Sequence, residues 1–557
     1  MSDLEAGRTP AEPAAVLLSD HEMQRFTSKH SFDRSIQNRH SVIIEGSGIP
    51  HGELPTDGAM AEKTADEKGS IVDMDDGSNS DTPLSLYVDA EGRSVAWDWA
   101  DDPANPYNWT MGRKWAQVAC FATCAFTASV GTSIMSSAHT DLMIEFGVSS
   151  TAAILPMSVY VLALAIGPVV VGGPLSEVVG RYPVLMAGTP VGLLFSAGAA
   201  LVPTSSFAGL CILRFLSGFA FAPSLAIASG VLSEIFRPIE RGLPVAVFIL
   251  IPFLGPGMGP VFGAFVMRKG WRWTQWTIVF FAALSIIVAV LGGRETYHPV
   301  LKRRRAKELG ITLPEESSRP SIPWTSRIYN FITIGLIRPL HMLVAEPIVG
   351  LSCLYVACEF ATLFSFFAAV PFVFEIVYLF GREKVGLVFL SIVVGSFLGL
   401  ITVLLTDVFI YKKRQVPRFH PEPPPPEHRL YAALIGSFGL PVGLFWFGWS
   451  GYHGLHWAST ALAIVPFAWG NICIFISLLQ YMGDTYTGSV VASAASANSL
   501  ARYSLASVFP LFTIQMYEKL GINWASSVFG FVSVALLPMP FLFFKLGPRI
   551  RAHSRYL

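Results

Sequence analysis

Residues 254–263 read LGPGMGPVFG and lie inside a long apolar run. Gly255, Gly259 and Gly263 recur every four residues, so on a helix they share one face. That face has no side chains, and a second helix can approach it backbone to backbone. Pro256 and Pro260 remove two amide donors and bend the segment. In water this composition makes a poor helix, at about 1 kcal/mol per Gly and about 3 kcal/mol per interior Pro relative to Ala. In a bilayer, neighbouring helices re-satisfy the freed carbonyls. The stretch reads as a kinked, closely packed membrane helix.

Composition agrees. Of 557 residues, 52% are hydrophobic and only 14% charged, with a mean hydropathy of +0.50. Soluble chains carry about 25% charged residues. A net charge of +0 says nothing about nucleic acid, and no basic, aromatic-interleaved stretch supports it, so no nucleic-acid partner is expected. Cys120, Cys124, Cys211, Cys353, Cys358 and Cys473 all sit in apolar segments without zinc-ligand spacing, so they read as packing residues. No metal or other cofactor is expected. No Walker A pattern is present to support ATP-driven pumping. No clustered His or carboxylate set points to an enzyme. Residues 1–30 are polar and charged and do not read as a cleavable signal peptide.

Residues 1–110 are rich in Ser, Asp, Glu, Gly and Pro, which predicts a disordered tail. Its end, Asp101 to Trp109 (DDPANPYNW), reads as a short ordered lead-in at a membrane surface. Apolar spans follow at 113–137, 152–173, 183–203, 207–231, 241–265 and 272–293, then at 345–374, 385–408, 428–449, 458–481, 488–514 and 521–545. Each is near or above the roughly 20 residues that cross a hydrocarbon core. The expected fold is an all-α membrane protein of 12 transmembrane helices in two six-helix halves. The halves cover 111–293 and 345–545, joined by a loop at 294–344 and followed by a terminus at 546–557. Lys302 to Lys307, Lys412 to Arg418, Arg237, Arg241, Arg549 and Arg551 fall on one side. By the positive-inside rule, that side, with both termini and the central loop, is cytoplasmic.

Two halves around a charged loop is the layout of a secondary transporter. The loop between spans two and three reads GPLSEVVGRYP (173–183). It resembles the signature loop G-x-L-x-D-R-x-G-R-R of the major facilitator superfamily. Glu177 stands in place of Asp, Val178 in place of the first Arg and Tyr182 in place of the last basic residue. On that resemblance, Gly173, Glu177, Gly180 and Arg181 gate the cytoplasmic side, with an acid and Arg181 in a charge network sparser than the full pattern. Leu213 to Gly218 (LRFLSG) resembles the second motif, built on the membrane-embedded Arg214. The resemblance implies a role for Arg214 in proton coupling; an Arg held by backbone carbonyls is the alternative. Gly255-x-x-x-Gly259-Pro260-x-x-Gly263 resembles the span-five motif of the antiporter branches and implies export by exchange with protons. The lead-in, Trp271-Arg272-Trp273, Glu295 to Pro299 (ETYHP), Ala495 to Arg502 with Pro510-Leu511-Phe512, and Gly547 to Arg551 add a resemblance to fungal twelve-span drug:proton antiporters.

The remaining intramembrane charges are few. Glu359 falls near the middle of span seven, where a lone carboxylate is costly to keep ionised and suits reversible protonation. Arg502 is its counterpart cation in span eleven, open to contact with an anionic cargo. Glu375 and Asp407 lie near span ends, where water reaches them, and Asp484 is a candidate gating charge at the end of span ten. Phe360, Phe364 and Trp446 are candidates, with Glu359 and Arg502, to line an apolar pocket. The expected function is efflux of a small organic compound such as a drug, toxin or secondary metabolite, driven by the proton gradient. A monomer in the plasma membrane, or in the vacuolar membrane, is expected. An organic-acid or polyamine exporter of the same fold, and a non-transporting receptor, are the alternatives.

Overall fold

The computed structural model describes residues 86–89, 94–237, 240–312, 333–419, 424–452, 454–486 and 488–556. They belong to two units. The smaller holds residues 86–89, 94–102 and 303–312. In it β1 (Leu86–Asp89) lies between β2 (Ser94–Ala96) and β3 (Ile311–Thr312), antiparallel to both. Trp97 packs on Ala306 and Ile311, and its indole N–H donates to Asp102 at 2.9 Å. Arg305 reaches the same carboxylate oxygen at 3.2 Å. Most of the expected 1–110 tail, and residues 313–332 of the central loop, lie outside the described residues.

The larger unit is helical. Its N-terminal half runs α1 (Met111–Ser133), α2 (Ser150–Gly167), α3 (Arg181–Ala200), α4 (Phe207–Ile235), α5 (Gly242–Val266) and α6 (Arg272–Gly292). Its C-terminal half runs α7 (Pro347–Ile376), α8 (Leu390–Leu405), α9 (Gly439–Ser450), α10 (Trp457–Thr485), α11 (Gly488–Val508) and α12 (Pro510–Leu536). Eleven helical runs among the described residues are long and apolar enough to cross a membrane. The last of them, Pro510–Arg551, has 42 residues, about twice one crossing. Gly521 breaks it with a φ of 75°, a conformation glycine adopts freely. Residues 510–520 instead continue α11, because Phe509 between them keeps helical dihedrals of −60° and −41°. The Ser- and Ala-rich α11, with Asn498 and Arg502 within it, is not among the eleven apolar runs, and it supplies the twelfth crossing.

The glycine stripe does what its spacing predicts. A Cβ on Gly255 would stand 2.5 Å from the Ser129 side chain and 2.9 Å from the Val130 amide of α1. At Gly259 it would meet the Ser133 hydroxyl and, at 3.1 Å, the Ile134 amide; at Gly263 it would meet the Ile134 carbonyl. There α1 tightens into a 3₁₀ turn, Ile134–Ala138, and Ser137 donates to the Pro260 carbonyl at 3.2 Å. Gly395 and Gly399 of α8 press on α10 in the same way. Between halves, α2 packs on α11 and α5 on α8.

Candidate functional site

A cavity of about 330 Å³ lies between the two halves, walled by α1, α4, α5, α7, α10 and α11. Its rim carries Glu177, Arg181, Arg241, Arg429 and Asp484, all at or near helix ends on the side rich in basic loops. Its wall is apolar and aromatic, with Phe253, Phe360, Phe364 and Phe475. Arg502 lies 14 residues into α11, about 21 Å along that helix. Its guanidinium sits 5.1, 4.8 and 4.5 Å from the rings of Phe360, Phe475 and Tyr503. It is 8% exposed, and its Nε has no hydrogen-bond partner. A cation held among π-faces, with an unused donor at a cavity wall, is equipped to bind an acceptor group on a guest.

The rim is braced by carboxylates. Arg181 pairs with Glu234 at 3.0 Å and donates to the Ser176 hydroxyl. Thr296 holds the other Glu234 oxygen at 2.8 Å. Glu295 accepts the backbone N–H groups of Arg181 and Tyr182, at 2.9 and 3.2 Å, and so caps α3. Gly180 makes room for it, since a Cβ there would collide with the Glu295 carboxylate and its φ is 113°. His298 donates from Nε2 to the Glu234 carbonyl at 2.8 Å and lies against Tyr107 of the lead-in. Burial pushes its imidazole below the ordinary range. The acid that meets Arg181 is Glu234 at the end of α4, whereas Glu177 borders the cavity. In the other half, Arg429 lies between Asp484 at 2.6 Å and Asp407 at 3.2 Å, and Lys412 also pairs with Asp407. Asp407, read from sequence as merely hydrated, is thus part of a charge cluster.

The opposite end is shut. Arg382 grips Asp141 with two hydrogen bonds, 2.7 and 3.2 Å, and Arg268 pairs with Glu383, each joining one half to the other. Gly386 fits against Ala264 and the Pro260 carbonyl of α5, too tightly for a Cβ. The molecule is therefore caught open at its basic end and closed at the other.

Of the residues singled out in the sequence, Glu177, Arg181, Phe360, Phe364, Asp484 and Arg502 border the cavity. Gly173 opens the short helix Gly173–Val179 behind the rim. Three candidates fall elsewhere. Trp446 is 42% exposed, and its indole donates to Ser459 at the start of α10, so it lies at the far end of the α9–α10 contact and away from the cavity. Arg214 is fully buried within the N-terminal half, over the Tyr160 ring at 4.1 Å. It donates to the carbonyls of Gly131 and Pro156 and to Gln275, so its partners are structural groups of α1, α2 and α6. Glu359 is 1% exposed, one residue behind the cavity-lining Phe360, and neither carboxyl oxygen has a hydrogen-bond partner. Asp141, Arg382 and Glu234 were not foreseen as site residues, and Glu295 was singled out only as part of ETYHP; each is a loop or helix-end charge whose partner lies more than 50 residues away.

Residues 121–510 match the family model described as Major Facilitator Superfamily. "Polyamine transporter 4" of Saccharomyces cerevisiae is 35% identical over 530 residues, covering 90% of this chain and 79% of that protein. "Major facilitator superfamily multidrug transporter mdrA" of Aspergillus fumigatus is 37% identical over 472 residues, covering 83% of this chain and 75% of that protein. "Ascochitine biosynthesis cluster MFS transporter" of Didymella fabae is 34% identical over 466 residues, covering 83% of this chain and 89% of that protein. Among solved structures, the proton:xylose symporter bound to 6-bromo-6-deoxy-D-glucose superposes with a TM-score of 0.54 at 16% identity, covering 78% of this chain and 96% of that one.

Proposed function

The chain belongs to the major facilitator superfamily, a multi-pass membrane transporter rather than an enzyme, and we propose that it exports a small amphipathic organic compound in exchange for protons. The observation that carries this reading is the cavity between halves: open at one end, closed at the other by ion pairs, and lined by aromatic rings around Arg502. Relatives named as efflux pumps and multidrug transporters support the direction. By the positive-inside rule the open end faces the cytosol, so the molecule is poised to load cargo from within. Rocking of the halves would break Asp141–Arg382 and bring the rim groups of α4 and α10 together. It acts as a monomer in the plasma membrane.

Glu359 is the proton carrier in this scheme. Its carboxyl is buried without a hydrogen-bond partner, and in this scheme it carries a proton in the conformation described. It would release that proton when rearrangement of α7 admits water. Arg214 contributes indirectly, by fixing the N-terminal half that α7 moves against.

Arg502 favours a second reading, that the cargo carries a carboxylate or another acceptor. A polycation finds less here, since the acids bordering the cavity, Glu177 and Asp484, stand at its rim. Replacing Arg502 by Gln and comparing export of an anionic with a neutral compound separates the readings. A selective loss of the anionic one, of tenfold or more, supports recognition by charge. Equal loss for both places Arg502 in the general machinery.

A further inference from the structure

At the basic end, Glu346 is a carboxylate only 1% exposed, one residue before α7. It is covered by the segment that follows the helix Met539–Arg551. The Ser554 hydroxyl donates to one of its oxygens at 2.8 Å and the Arg555 amide to the other at 2.8 Å. The Tyr486 hydroxyl adds a third hydrogen bond at 3.2 Å. The Tyr556 hydroxyl meets His341 at 2.7 Å, and its amide donates back to Ser554 at 3.2 Å. Tyr486 directly follows α10, two residues after the rim acid Asp484. One buried carboxylate therefore ties residues 554–556 to the start of α7 and to the cavity rim.

The sequence around Ser554 is R-I-R-A-H-S-R, with Arg549, Arg551 and Arg555 flanking the hydroxyl. We propose that Ser554 is a phosphorylation site for a kinase that reads basic residues, and that the phosphate unlatches this segment from Glu346. The proposal rests on the cytosolic placement of the basic end argued above. The γ-phosphoryl group of ATP passes to Ser554 Oγ. The Oγ–P bond forms, the bond from γ-phosphorus to the bridging oxygen breaks, ADP leaves, and the hydroxyl proton goes to the kinase's base. Arg551 pairs with Glu427 at 3.2 Å in the latched form, so the kinase acts on moments when the segment has lifted off. Phosphoserine carries about −1.5 to −2 charges. It replaces a donor facing a buried carboxylate with a repelling dianion, so the segment cannot return. Glu346 then loses two of its three donors and is exposed to water, and the tie to Tyr486 at the rim loosens.

The test uses the full chain in nanodiscs with ATP and the catalytic subunit of a kinase selective for basic substrates, read by mass spectrometry and amide exchange. The expected result is phosphate on Ser554, with exchange of amides 553–556 and 346–350 accelerated tenfold or more. Glu346→Gln, which keeps an acceptor but removes the charge, should reduce that acceleration at least threefold. Absence of phosphate on Ser554 would overturn the proposal, as would phosphorylation without a change in exchange. Labelling of Ser554→Cys with an impermeant maleimide separates this failure from failure of the orientation. Labelling in intact cells would overturn the orientation itself. Labelling only after permeabilisation leaves the orientation standing and makes a negative kinase result count against this site alone.

Discussion

His298 carries a pH dependence with a definite sign. Its imidazole is held neutral by burial while it donates to the Glu234 carbonyl, whereas in the unfolded chain it protonates near its ordinary value of about 6.5. A group whose folded value is lowered contributes full stability above the unfolded value. That contribution falls as pH drops below it, by at most about 1.4 kcal/mol per pH unit. Thermal stability in detergent should therefore fall between about pH 6.5 and pH 5, and His298→Gln should flatten that slope. An unchanged slope would show that His298 is not responsible. Glu359 makes the sharper functional claim. Glu359→Gln keeps the shape of the side chain but cannot exchange a proton. Exchange of cargo down its own gradient should persist, while accumulation driven by a pH gradient should fall at least tenfold. Loss of both would mark Glu359 as a packing or cargo-binding residue instead. From sequence, its isolation in α7 was legible. For Arg214 the alternative of a cation held by backbone carbonyls was legible, but not which carbonyls, those of Gly131 and Pro156, because no residue type announces them.

Among the helices, the α1–α5 contact carries the most consequence per residue. Gly259→Leu would drive a branched side chain into the α1 backbone where it tightens into a 3₁₀ turn. Neither helix can yield without disturbing the far-end closure that Pro260 and Gly386 share. The variant should insert normally and lose export, measured as surface expression against extracellular cargo. Normal export would remove the main support for the antiporter assignment. This contact was readable because a four-residue repeat of Gly has one geometric meaning on a helix. The face of α9 was not. It is apolar all round, so no periodicity showed that Trp446 would meet Ser459 at the start of α10 instead of the cavity. The eleventh and twelfth crossings were separated in the sequence at 514–521, and the break falls at Gly521, whose positive φ ends one helix and starts the next.

For the whole molecule, spans and loop charges foretold the two-halved architecture. The pairs that close its far end join Asp141 to Arg382 and Arg268 to Glu383 across the halves, a relation that only the packed fold reveals. Asp141 and Arg382 are partly exposed, where a pair contributes about 0.2–1 kcal/mol. Such a gate is firm enough to bias one conformation and weak enough to open in turnover. The central claim is export coupled to proton entry. Inside-out vesicles from cells expressing the chain, with an acidic interior and a panel of small amphipathic fluorescent dyes outside, test it most directly. Proton-coupled export requires that at least one dye accumulates in these vesicles, that a protonophore abolishes the accumulation, and that Gly259→Leu vesicles show none. Accumulation that survives the protonophore would contradict proton coupling.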